Sequence, residues 1–308
     1  MSHRRAVALM VLCTLMWSIA GVVTRQLDAA RSFEVTFWRS LFNAAALMVA
    51  LLALRGPALW SDIRRGGWAL WFSGLCWAVM YTNFMLAITL TTVATVLVTM
   101  AVAPLVTALF ARGLLGHRLP ARTWIAIGLA GAGIAWMFGR QALSGGADSA
   151  SMTGAMVALG VPLAAAANWT LMQHLHQRHV ADPRIEAPQM LPAVLLGAVL
   201  SAAVTLPMAL PFSATPHDLG WLGLLGVVQL AIPCLIVVRL TQVLSAPELS
   251  LLGLLEVIFG VLLVWVGAGE APGPEALTGG ALVIAALLGN EWLALRDRAT
   301  ASPHLARS

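Results

Sequence analysis

The chain has 308 residues, of which 60% are hydrophobic and only 10% charged. A soluble domain carries roughly 25% charged residues, so there is too little charge here to cover a water-facing surface, and most of the surface must face lipid. The +5 net charge comes from arginine alone; its placement follows membrane topology rather than a nucleic-acid patch, which excludes nucleic acid as a partner.

A bilayer core of about 30 Å takes about 20 apolar residues per helix. The first apolar run, 6–24, follows Arg4 and Arg5 and ends at Arg25-Gln26 without a small-residue cleavage site, so it reads as a span and not as a cleaved signal. Nine further runs follow at 33–54, 68–90, 93–111, 121–139, 152–172, 187–209, 219–240, 246–267 and 276–295. Each is too long for a strand, and backbone in lipid must satisfy its own hydrogen bonds, so the expected class is an all-α polytopic membrane protein of ten transmembrane helices.

With the N-terminus inside, 14 of the 18 arginines fall on inner segments, 3 on outer loops, and Arg39 inside the second span. Arginine excess marks the cytoplasmic side, which puts both termini in the cytoplasm and the protein in the inner (plasma) membrane. Trp68, Trp71, Trp124 and Trp292 near inner boundaries, and Trp38, Trp136, Trp221 and Trp265 near outer ones, fit interfacial belts. Arg39 reads as structural, snorkelling outward or meeting Glu34.

The chain repeats itself. An offset of 152 pairs Ala94 with Ala246, Gly128 with Gly280 and Pro104 with Glu256. The expected organisation is a first repeat over 1–139, an external linker over 140–151, a second repeat over 152–295 and a cytoplasmic tail over 296–308. Five spans is an odd number, so the second copy enters the membrane in the opposite direction. Inverted repeats around a central cavity are the geometry of secondary transporters working by alternating access.

Several stretches carry a resemblance: Ala87-Ile88-Thr89-Leu90-Thr91-Thr92-Val93-Ala94 leading into Ala103-Pro104-Leu105, then Gly116-His117-Arg118-Leu119, then Gly128-Leu129-Ala130-Gly131-Ala132-Gly133. In the second half Leu251-Leu252-Gly253-Leu254-Leu255-Glu256, Gly269-Glu270 and Gly279-Gly280 correspond, and Trp17-Ser18 and Phe37-Trp38-Arg39 also fit. Together they resemble the EamA-type family of the drug/metabolite transporter superfamily. His117-Arg118, where the family often has glutamate, and Val257, where it often has proline, depart from the pattern. The resemblance implies a ten-helix basket whose cavity is lined by spans one, three, four, six, eight and nine. It also implies export of amino acids or related metabolites, with the aromatic amino acid exporters as one branch.

Ionisable residues at membrane depth are costly, by about 2.5–3.5 kcal/mol on insertion scales. Glu256, at the centre of the ninth span, therefore faces a cavity, carries a proton or pairs; contact with a substrate amine and proton coupling are the functional readings. Trp77 and Tyr81 are four residues apart and share one helix face, with Asn83 close by. Thr99, Gln229, Asn168 and Trp17 complete the candidate substrate-binding set, each weighed against plain interhelical packing. Pro104, Pro162 and Pro233 are hinge candidates, since each frees a carbonyl inside a span.

No cofactor or metal is expected. Cys13, Cys76 and Cys234 lie inside apolar runs as small core residues, His174, His176 and His179 lack ligand spacing, and the glycines of 128–133 follow no strand. The partners expected are a small-molecule substrate (an amino acid or related metabolite), the bilayer and, for a proton antiporter, protons; monomer and homodimer both stay open. Export of an aromatic or other neutral amino acid leads. A multidrug or amine efflux carrier and a non-transporting sensor or scaffold subunit are the alternatives, and scattered carboxylates give no catalytic cluster.

Overall fold

The computed structural model describes residues 1–30, 32–90, 96, 99–116, 119–144, 149–182, 184, 189–268 and 273–301. Thr91–Thr95 of the fourth run, His117-Arg118, the 145–148 part of the linker, Glu270 and the tail beyond 301 lie outside the described residues. The rest is helical, with no strand among the described residues.

In chain order the helices are α1 (His3–Ser18), α2 (Ala20–Val23), α3 (Ser32–Arg55), α4 (Ala58–Arg65), α5 (Gly67–Leu90), α6 (Ala103–Leu115), α7 (Ala121–Ser144), α8 (Ser149–Ala181), α9 (Leu191–Ala209), α10 (Pro216–Leu224), α11 (Ile232–Leu240), α12 (Ala246–Gly253), α13 (Leu255–Ala268) and α14 (Pro274–Ala301). A π-helical segment, Leu225–Ala231, joins α10 to α11. Seven segments among the described residues are long and apolar enough to cross a membrane, and the two apolar stretches Ala103–Leu115 and Leu277–Asn290 are shorter. The short α4, which the hydropathy pattern does not announce, lies between α3 and α5 and ends in Arg64-Arg65.

The helix breaks have local causes. Pro104 carries no N–H for the carbonyl four residues back, so α6 starts only at Ala103, after a turn at Ala101–Val102. Pro233 likewise offers nothing to the Gln229 carbonyl, and the ladder widens to π geometry over the preceding turn. The ninth run is broken at Leu254, directly after Gly253. Glu256 therefore sits in the first turn of α13 and not at the middle of one continuous helix. Pro162, by contrast, lies inside α8, which runs on through it unbroken, so it marks no break.

Helix packing does not follow the two sequence halves. α5 packs on α8 and α9, and α6 on α8. On the other side α1 packs on α11, α12 and α13, and α3 packs on α10 and the π segment. The two groups meet where α3 crosses α9 and α6 meets α12, while α7 and α14 pair with each other. Close approach needs small residues, because lipid tails give apolar helices no net drive to associate. A Cβ at Gly226 would sit 2.8 Å from the Arg39 carbonyl and 2.6 Å from Phe42 Cβ. A Cβ at Gly197 would lie 3.0 Å from the Gly74 carbonyl.

Hydroxyl and amide groups tie the helices together. Ser40 Oγ and Thr82 Oγ1 each lie 2.9 Å from Ser201 Oγ, joining α3, α5 and α9. At the end of the molecule away from the N-terminus, two carboxylates form reciprocal clasps. Asp218, in the first turn of α10, accepts from the N–H groups of Asp28 at 2.7 Å, Ala29 at 3.2 Å and Ala30 at 3.3 Å, besides closing its own capping box with Thr215. Glu34, in the first turn of α3, accepts from the N–H of Ser213 at 2.9 Å and of Ala214 at 2.8 Å, and from the Ser213 hydroxyl at 2.7 Å. Each loop is thus held by the helix of the other. His217 and Asp28 lie beside Asp218 and approach to 3.1 Å, but the Asp218 oxygens are spent on backbone N–H groups, so the cluster serves as a clasp.

Two outcomes test this packing. Gly226→Val overpacks the α3 contact and should cost about 1–3 kcal/mol, read as a lower unfolding midpoint in detergent. Asp218→Asn replaces an acceptor of four N–H groups and should cost about 1–3 kcal/mol; an unchanged midpoint would show that the clasp contributes nothing.

Candidate functional site

A cavity of about 160 Å³ lies among the broken helices. α1 contributes Met10 and Trp17; α5 contributes Trp77, Met80, Tyr81 and Phe84; α8 contributes Val161, Ala165 and Trp169. Met100 and Ala103 flank the break before α6, and Gln229, Leu230 and Cys234 come from the π segment and α11. Ser250, Gly253, Leu254, Glu256 and Val257 flank the break between α12 and α13. The cavity thus gathers the unwound points of three spans, where backbone departs from regular helix.

One wall is aromatic. The Trp77 ring lies 5.6 Å from Tyr81 and 5.3 Å from Trp169, the latter pair edge to face at 78°. The edge-to-face pair brings the negative face of one ring to the positive edge of the other. Against this wall stand two ionisable groups. Glu256 projects from the first turn of α13, and Arg39 enters from α3 with 1% of its surface exposed. The Arg39 guanidinium donates to the Tyr81 carbonyl at 2.9 Å. Arg39 and Glu256 interact electrostatically, yet no ion pair within 4.0 Å joins them among the described residues.

Gln229 Nε2 donates to the Trp17 carbonyl at 3.3 Å, just before α1 breaks off at Ser18. Its Oε1 has no partner, and neither do Arg39 Nε, Trp77 Nε1 or Tyr81 Oη, among the described residues. The Tyr81 hydroxyl lies beside Asn43 and Cys234 without a hydrogen bond of ordinary length. Buried polar atoms are nearly always bonded; these four orphaned atoms belong to residues that line one cavity.

Of the residues singled out from sequence, Glu256, Tyr81, Trp77, Gln229 and Trp17 come together at this cavity, and Asn83, Thr99 and Asn168 do not line it. Asn83 points to α8 and donates to the Val157 carbonyl at 3.1 Å. Asn168 accepts from the Ser73 hydroxyl at 2.6 Å and ties α8 to α5. Thr99 lies in helical backbone just before the 101–102 turn, its carbonyl accepting from the Val102 N–H at 3.3 Å. Pro104 and Pro233 sit at helix breaks beside the cavity.

Trp169 and Arg39 are among the lining residues that the sequence reading does not assign to the cavity. Trp169 stands at the 152-residue offset from Trp17, and Gln229 at the same offset from Trp77; following the offset through every cavity candidate finds Trp169. Arg39 neither snorkels nor meets Glu34, because Glu34 is spent on the 213–214 loop and the guanidinium turns inward. Nothing in the local sequence signals that direction.

A crystal structure of a protein with 18% sequence identity superposes over 96% of this chain and 99% of its own, with a TM-score of 0.77, so the two share a fold. No curated protein matches the chain. The sequence model of the EamA-like transporter family matches twice, over residues 4–139 and 152–290. The cavity can be tested sterically. A Cβ at Gly253 would meet nothing within 4 Å, so Gly253→Leu fills the cavity with little strain. It should leave the unfolding midpoint near that of the parent and lower transport at least tenfold, and parental transport would show that the cavity is not used. Matched over both halves, the chain belongs to the EamA-like transporter family, membrane transporters of small molecules.

Proposed function

We propose that the chain exports a neutral amino acid with an apolar or aromatic side chain across the inner membrane by alternating access. One observation carries this reading: a guanidinium, Arg39, and a carboxyl group, Glu256, line the same aromatic-walled cavity without pairing closely. A zwitterion is the small ligand that answers both. Its carboxylate matches the guanidinium fork, its ammonium matches Glu256, and its side chain lies on Trp77, Tyr81 and Trp169. Size agrees, since an apolar cavity of about 150 Å³ takes one benzene ring. The aromatic wall with both a guanidinium and a carboxyl group favours the amino acid over multidrug efflux.

The architecture supports a cycle. Leaving aside the short α4, and counting α1 with α2, α10 with α11 and α12 with α13 as single units, and α6 with the turn before it, gives ten units. Exchanging each unit of the first repeat with its counterpart in the second maps the contacts onto one another. α5 on α8 becomes α11 on α1, α6 on α8 becomes α12 on α1, and α5 on α9 becomes α10 on α3. The self-paired contacts α3 on α9, α6 on α12 and α7 on α14 map onto themselves. Such a pattern is expected of two inverted five-helix repeats around a two-fold axis in the membrane plane. The breaks obey the same relation, since Val102 and Leu254 are 152 apart. In this reading the units that rock are the two packed groups, each built from both repeats, with the breaks at 101–102 and 254 as hinges. The arginine distribution supports cytoplasmic termini. Glu256 binds the substrate ammonium and is the group through which proton coupling would act.

The test is counterflow in proteoliposomes with labelled phenylalanine, leucine, putrescine and a lipophilic cation. Saturable exchange of the amino acids is expected. Glu256→Gln should reduce amino acid transport at least tenfold, and Arg39→Gln should raise the KM for amino acids more than that for amines. Exchange of amines or lipophilic cations without amino acids would overturn the substrate class, and a parental rate and pH profile in Glu256→Gln would remove the role assigned to that carboxylate.

A further inference from the structure

A second cavity, of about 570 Å³, opens at the end of the molecule that carries the N-terminus. It is separate from the first, with no lining residue in common. α3 and α11 form one wall, through Arg55 and Arg239; α8 and the start of α9 form the other, through His176 and Gln189. It therefore lies in the seam between the two packed groups, with Gln242 on the turn after α11.

Its chemistry is divided. Arg239, His176, Gln189 and Gln242 supply donors, and no carboxylate lines the cavity among the described residues. Arg55 is already bonded to Asp62, at 2.8 Å, so the uncompensated charge is that of Arg239. Apart from Thr241, the remaining lining, Met172, Leu175 and Val238 among it, is apolar. The volume falls in the range of small-ligand sites, about 300–1,000 Å³. A basic cavity between helices at the cytoplasmic end of a membrane protein suits an anionic headgroup, and guanidinium suits phosphate oxygens.

We infer that this seam cavity is a binding site for a phosphate-bearing anion, held by Arg239 with His176 and Gln189 opposite, which braces the two packed groups against each other. The phosphate comes from an anionic phospholipid headgroup or from a soluble phosphate ester. The site is distinct from the substrate cavity and does not require that the chain carries amino acids.

The experiment measures the unfolding midpoint of the full chain in neutral detergent, with no transported substrate present, so failure of the transport reading leaves it intact. Short-chain phosphatidylglycerol, short-chain phosphatidylcholine, glycerol 3-phosphate and inorganic phosphate are each titrated. Phosphatidylglycerol should raise the midpoint saturably, and phosphatidylcholine should not. An equal shift with glycerol 3-phosphate or inorganic phosphate identifies a soluble ligand, and a shift with phosphatidylglycerol alone identifies the lipid. Arg239→Gln should weaken the apparent affinity at least tenfold, Gln242→Glu should weaken it similarly, and Arg239→Lys should keep part of it. Arg178→Gln, an exposed arginine on α8 outside the cavity, should leave it unchanged. Equal shifts in the parent, Arg239→Gln and Gln242→Glu, or no shift with any of the phosphates, would overturn the site.

Discussion

Everything in this molecule follows from one constraint: in lipid, the backbone has no water to bond to. Each N–H and C=O must find its partner inside the chain, and the α-helix is the local solution. An irregular backbone is tolerated only where protein or a cavity shelters it. The breaks at 101–102 and 254 and the π segment at 225–231 all border the same cavity. Unwinding and cavity formation are therefore one event. Prolines 104 and 233 remove donors, the helices open, and residues near the freed turns line a space in the middle of the fold.

That space holds charge because its surroundings hold it in place. Gly226 lets the π segment approach the α3 backbone at Arg39, and the Tyr81 carbonyl takes one guanidinium donor. Glu256 enters on the first turn of α13. In a medium of low dielectric, a buried charge without a close counter-ion is costly, and transporters keep such groups where a substrate or ion completes them. The clasps at the far end follow a different logic. Glu34 and Asp218 are each surrounded by backbone N–H donors, so their charge is used to fix loops.

The repeat gives the fold its economy and its asymmetry. Trp17 and Trp169 occupy equivalent positions and both line the cavity, so the duplication preserves part of the wall. Trp77 and Gln229, and Pro104 and Glu256, are equivalent positions filled differently. A symmetric scaffold supplies two matched breaks, and the substituted positions give the cavity a polar side. Membership of the EamA-like family accords with this duplicated plan, since its model matches once per half.

The sequence by itself determined the membrane class, the helical secondary structure and the repeat, because hydropathy and helical rise run along one dimension. It also determined that Trp77 and Tyr81 share a face, since residues four apart on a helix must. What only the tertiary structure decided is the direction each face takes. Asn83 and Asn168 lie on α5 and α8, which both line the cavity, yet each turns to a neighbouring helix and bonds there. Arg39 turns inward because Glu34 is bound to a loop some 180 residues away in sequence. The break at Leu254, with no proline to announce it, moved Glu256 from mid-helix to a helix start. Rotation about a helix axis is set by which neighbour packs against it, and that neighbour comes from distant parts of the chain.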